Sequence, residues 1–211
     1  MIGCAKFITF EGVEGAGKST QIALCSQFLE KEGIPHIQTR QPGDTIIGKK
    51  LRAVLLDPQN TNMDPMCEAH LYMADRAQHL SEQIRPALSK GLWVLCDRYH
   101  DSTLAYQGFA RGIKGLSYEG FLKPDLTFLV NLNPETGLSR ARSRNTEQNL
   151  ADEARFENEQ IQFHNKVREG FLSLAHQEPN RFAVIDANGP PETIFSRIKP
   201  WLQKLMESER V

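Results

Sequence analysis

Near the start of the chain, FITFEGVEGAGKST fits the pattern G-x-x-x-x-G-K-[ST] without mismatch over residues 12–19. Nothing else in the sequence restricts the fold as much. Glycines at this spacing let the backbone curl so that successive N–H groups point inward at phosphate oxygens. A helix starting near Gly17 adds the positive end of its dipole. Such a loop belongs between a buried strand and a helix. The flanks supply both: an apolar run over residues 6–11, and a helical stretch over 17–31 closed by Gly33. Two glycines, a lysine and a hydroxyl residue at fixed spacing rarely coincide by chance in 211 residues. Gly12, Val13, Glu14, Gly15, Ala16, Gly17, Lys18, Ser19 and Thr20 therefore read as a cradle for a nucleoside triphosphate. Lys18 would reach the β- and γ-phosphates, and the Ser19 hydroxyl would ligate Mg²⁺.

The rest of the chain repeats the strand–helix alternation. Residues 35–40, LWVLCD (92–97), DLTFLVNL (125–132) and RFAVID (181–186) read as further strands. Between them lie a long helix over about 64–89 with Asp64 as N-cap before Pro65, an arginine-bearing helix from Asn133, a polar helix over 153–175 and a closing helix from PPETIF. This predicts an α/β fold: a five-stranded parallel sheet with helices on both faces, in a single domain over 1–211. Ligands in such folds bind at the C-terminal ends of the strands.

Charge and composition narrow the partners. With 25 basic and 26 acidic residues the net charge is −1, which offers no footprint for nucleic acid or an anionic membrane. No apolar run approaches the roughly 20 residues of a spanning helix. The apolar N-terminal stretch is short and broken by Glu11, so it does not read as a signal peptide. Cys4, Cys25, Cys67 and Cys96 form no C-x-x-C pair, which argues against a metal or disulfide framework and for a cytoplasmic location.

A triphosphate cradle serves phosphotransferases, switches and motors alike. The N-K-x-D element of a guanine-nucleotide switch is absent, and a motor is normally larger. A small kinase needs a second set of cations for a second phosphate, and the sequence offers them. In LWVLCDRYHDSTLAYQG, Asp97 ends a strand where a carboxylate can stand near Mg²⁺. Arg98 follows into the cleft, where a guanidinium needs an anion; a structural Asp97–Arg98 network is the plainer alternative. Tyr72 and Arg76 in HLYMADRAQHL are i and i+4 on one helix face, able to stack on a base and bond its edge; alone they would pass for core and surface. TRQPGDT places Arg40 at a strand end before a forced turn.

EGVEGAGKST, TRQPGDT, ADRAQH, DRYHDSTLAYQG, RG, KPDLTFLV and RARSR followed by RFE together resemble bacterial thymidylate kinases, from about residue 6 to residue 198. The resemblance implies a P-loop nucleoside monophosphate kinase fold with a short helical lid at about 142–157. It also implies transfer of the ATP γ-phosphate to dTMP with Mg²⁺, and a homodimer. By resemblance, Arg98 and Arg40 hold the dTMP phosphate, Tyr72 stacks on thymine and Arg76 contacts the base edge. Thr103 and Gln107 recognise the pyrimidine, Tyr106 excludes a ribose 2′-hydroxyl, and Glu14 meets the deoxyribose 3′-hydroxyl or a metal-bound water.

The acceptor phosphate is largely a dianion at pH 7, with a second pKa of about 6, and needs no strong base. Catalysis is then positioning and charge neutralisation. Val13, Glu14, Gly15 and Ala16 supply no cation; the resemblance implies that it then comes from a mobile lid, with Arg142, Arg144 and Arg155 the candidates, against the usual reading of such a run as a solvated basic face. Three departures from the family pattern stand out. Gln41 replaces a glutamate and Asp44 a glycine in RQPGDT. The 112–124 segment is short, implying a trimmed helix. Ala154 replaces an aspartate before RFE. A related kinase for dUMP, another nucleoside monophosphate or a deoxynucleoside, and an ATP-binding protein without catalysis, are the competing readings.

Overall fold

A computed structural model describes residues 5–148 and 155–207, with the side chains of 144–148 outside that description. Five parallel strands, β1 (Phe7–Glu11), β2 (His36–Arg40), β3 (Trp93–Asp97), β4 (Leu126–Asn131) and β5 (Phe182–Asp186), lie in the order β2-β3-β1-β4-β5. β1 is central, flanked by β3 through pairs such as Phe10↔Asp97 and by β4 through Phe10↔Phe128. Alternation along the strands divides the core between the faces. Ile8, Phe10 and Leu95 join the main cluster with Ile22, Leu29, Ile198 and Leu202. Phe7, Val94 and Cys96 join a second cluster with Leu80, Ile84 and Tyr99. Burial on both faces explains why the strand sequences read as nearly continuous apolar runs.

Among the described residues, eight α-helices pack around the sheet: α1 (Lys18–Lys31), α2 (Ile46–Leu56), α3 (Pro65–His79), α4 (Arg85–Ser89), α5 (His100–Thr103), α6 (Pro134–Gln148), α7 (Ile161–Gln177) and α8 (Pro191–Glu207). Asp64 does cap α3, accepting from the N–H groups of Met66 and Cys67. The helix expected over 64–89 does run through, with a π-helical turn, Leu80–Ile84, set into it. Pro86 lacks the N–H an α-helix would use there, and Arg85 N–H bonds Leu80 five residues back.

The polar helix expected from residue 153 begins only at Ile161, after a turn that buries Phe156. α2 was not expected. Its apolar residues Ile46 and Ile47 face outward, which hides the amphipathic signal. Thr45 caps it by accepting from Gly48 N–H at 2.8 Å. A second π-helical stretch, Leu104–Ala110, continues α5 and packs along α7. Residues 112–124 form neither helix nor strand, in keeping with the trimmed segment expected there.

Candidate active site

The C-terminal ends of β1, β2 and β3 open into one cavity of about 940 Å³. Its floor is the loop after β1. Gly12, Gly15 and Gly17 all have positive φ, and a Cβ on Gly12 or Gly15 would run into the carbonyls of Val130 or Gly137. Lys18 bends back so that Nζ donates to the carbonyl oxygens of Val13 (2.9 Å) and Gly12 (3.2 Å). Burial, aided by the nearby Arg98 charge, lowers its pKa to about 8. Ser19 Oγ donates to Asp97 Oδ2 at 2.7 Å, which brings both sequence-assigned metal ligands together.

Arg98 joins the floor to the far wall. It is the one non-glycine with positive φ (65°) among the described residues. Nη1 donates to Gly12 O (2.9 Å) and Ser102 Oγ (3.1 Å), Nη2 donates to Glu14 Oε1 (3.1 Å), and the guanidinium lies over the Tyr106 ring. Tyr106 also donates its hydroxyl to Glu14 Oε1 at 2.5 Å. Burial would raise the Glu14 pKa, but Arg98, His164 and Lys18 outweigh it and hold the carboxyl far below its usual range. Arg40 ends β2 opposite Asp97, so the two cations sit on neighbouring strand ends.

Tyr72 and Arg76 line the opposite wall together, as their i, i+4 spacing predicts. Arg76 is buried. Nε donates to Gln41 Oε1 (2.9 Å) and Nη2 to Thr103 Oγ1 (2.7 Å), while Nη1 has no partner among the described residues. Gln41 therefore turns to Arg76, away from the phosphate side. Asp44 does not replace the missing carboxylate, because it accepts from Thr39 Oγ1 at 2.5 Å. Thr103, Tyr106 and Gln107 all line the cavity. Gly12 and Val13 do not line the cavity: their carbonyls accept from Lys18 Nζ, and the Val13 side chain is in the core.

The residues expected in a lid sort differently from the sequence reading. Arg142 does not line the cavity: Nη2 donates to the carbonyl of Glu157 at 2.9 Å. The side chain of Arg144 and all of Ala154 lie outside the described residues. Arg155 turns to Glu68 at 2.6 Å. Among the described residues, the α6 cation that lines the cavity is Arg140, two residues before Arg142. Helical geometry separates those side chains by about half a turn.

The thymidylate kinase family profile matches residues 10–198. The chain belongs to the thymidylate kinase family. Thymidylate kinases of Desulforapulum autotrophicum and Carboxydothermus hydrogenoformans are 50% and 49% identical to it, over 91% and 95% of this chain and 88% and 98% of theirs. The crystal structure of thymidylate kinase from Ehrlichia chaffeensis superposes with a TM-score of 0.70 at 26% identity, covering 94% of this chain and 98% of that one. Within this family fold, sequence reasoning missed two cavity cations. Arg52 sits on α2, the unexpected helix, where Nη1 donates to Pro42 O at 3.0 Å. Arg140 opens the RARSR run, and only the phase of α6, which the run itself does not reveal, separates it from Arg142. No helix among the described residues is long and apolar enough to cross a membrane.

Proposed function

We propose that this chain transfers the γ-phosphate of ATP to the 5′-phosphate of dTMP, giving dTDP and ADP. One observation carries the reading: a single cavity joins the triphosphate loop to a second cation set, Arg40, Arg52 and Arg98, and to a wall of Tyr72, Arg76, Thr103, Tyr106 and Gln107. Family membership supports the choice of thymidylate as acceptor. In this reading the loop N–H groups and Lys18 hold the donor phosphates. Arg98 and Arg40 hold the acceptor phosphate, with Arg52 beside them. Tyr72 stacks on the base, Arg76 and Gln107 meet its edge, and the Tyr106–Glu14 pair occupies the space of a 2′-hydroxyl.

The donor set suits Mg²⁺. Ser19 and Asp97 offer hard oxygens 2.7 Å apart beside Lys18, and a Mg²⁺ shared with phosphates needs only one or two protein ligands. When bound, the ion would neutralise phosphate charge. The side chains do the rest by placement. Arg98 bridges the loop and Glu14 and so fixes the acceptor phosphate relative to the cradle. Lys18 and Arg140, both in the cavity wall, supply cations to the transferred group. The homodimer implied by resemblance would draw on the exposed apolar residues Ile46, Ile47, Val54 and Met66 of α2 and α3.

Phosphorus NMR of the reaction tests the transfer. With dTMP, ATP and Mg²⁺, a paired α/β signal of dTDP should grow as the dTMP singlet declines. Release of inorganic phosphate with dTMP unchanged would instead mark a hydrolase.

A further inference from the structure

Gln107 lines the cavity yet is almost fully buried, and its amide is anchored from behind. Nε2 donates to Glu68 Oε1 at 2.7 Å. Glu68, on α3, is 1% exposed and accepts from two arginines at once. Arg155 Nη2 reaches its Oε2 at 2.6 Å, and Arg111 approaches both oxygens at 3.5 Å. Arg155 is itself held by the carbonyl of Leu55, and Arg111 by Glu159 at 2.6 Å. A carboxylate facing two guanidiniums can only accept, so the end of the Gln107 amide that meets it must be the NH₂ group. The carbonyl oxygen is thereby turned away from Glu68, and among the described residues no donor reaches it. In the same wall stands the opposite pole: Arg76 Nη1, a buried donor without a partner.

We propose that Glu68 is a positioning residue for acceptor specificity: it fixes the Gln107 amide with its oxygen toward the bound base. The site then selects pyrimidines with an N–H at ring position 3 and a carbonyl at position 4. This rests on the thymidylate reading above. A 4-keto pyrimidine presents a donor at N3 to Gln107 Oε1 and an acceptor at O4 to Arg76. A 4-amino pyrimidine reverses both, leaving two buried groups facing their own kind. Glu68 touches no substrate in this account; it decides which end of Gln107 does.

The test is the ratio of kcat/KM for dTMP to that for dCMP, in the wild type and in Glu68→Gln. The new amide can donate or accept, so Gln107 is no longer locked. The ratio should fall about 10- to 100-fold, through a higher KM for dTMP and a lower one for dCMP, with kcat for dTMP changed by less than about threefold. Glu68→Asp, which keeps an acceptor, should recover part of the ratio. Equal losses with both acceptors and an unchanged ratio would mean that Glu68 is only structural, and would overturn the inference. A wild type that does not prefer dTMP would overturn the functional reading itself, a separate result. Should Glu68→Gln not fold, a crystal structure of the wild type with dTMP decides. Gln107 Oε1 about 3 Å from N3, with Nε2 on Glu68, upholds the proposal; Nε2 facing the base overturns it.

Discussion

Lys18 packs its ammonium onto the carbonyls of Gly12 and Val13, and burial with the Arg98 charge brings its pKa down to about 8. Only the protonated form attracts phosphate. kcat/KM for ATP should therefore hold level near pH 7 and fall tenfold per unit above about pH 8, as the free enzyme loses that proton. A plateau to pH 10 would contradict the lowered value. Arg98 makes a different demand. Its positive φ and its bonds to Gly12, Ser102 and Glu14 use the planar fork as well as the charge. Arg98→Lys keeps the charge and should still lower kcat/KM for the acceptor about 10²- to 10³-fold, read at saturating ATP. Both residues were legible in the sequence, one from loop spacing and the other as an arginine at a strand end. Their partners were not, because Glu14 meets Arg98 only once the phosphate loop converges with the segment after β3, and Ser102 and Tyr106 turn toward it only through α5 and its π-helical continuation.

At the scale of elements, α6 is brought onto the phosphate loop by a pair of glycines. A Cβ on Gly137 would press into the carbonyl of Glu14, and one on Gly15 into that of Gly137. Gly137→Ala should push α6 and the loop apart, raising KM for ATP about tenfold or more with a smaller loss of stability; unchanged ATP kinetics would show that the loop yields freely. The same contact lets α6 carry Arg140 to the cavity while Arg142 ties down the turn at Glu157. Arg140→Ala should accordingly lower kcat more than Arg142→Ala, by about 10²-fold or more. Stopped turnover after Arg142→Ala alone would restore the original assignment.

Strands and the cradle helix were readable because periodicity and loop chemistry agree there. α2 was not, since its exposed isoleucines contradict its phase. The π-helical stretch Leu104–Ala110, which delivers Tyr106 and Gln107, has no sequence period of its own.

The whole molecule depends on buried charge that takes no part in the chemistry. Asp101, fully buried on α5, accepts from Arg181 at 2.7 and 2.9 Å and so ties the acceptor wall to β5. Asp101→Ala leaves that guanidinium with only Glu178 and Thr127 as partners and should cost about 1.5–3 kcal/mol, or roughly 4–10 °C in Tm, by thermal denaturation. Asp101 stands in the same DRYHDS run as Arg98, so sequence alone could not separate the anchor from the site. Burial does. The central claim is that one cavity joins ATP to a thymine nucleotide, and ADP release with dTMP, dUMP, dCMP, AMP and thymidine in parallel tests it most directly. Turnover should be fastest with dTMP, weaker but real with dUMP, which lacks only a methyl worth about 1–3 kcal/mol, and negligible with the other three. Preference for any other acceptor, or no turnover by a protein that still binds ATP, would contradict it.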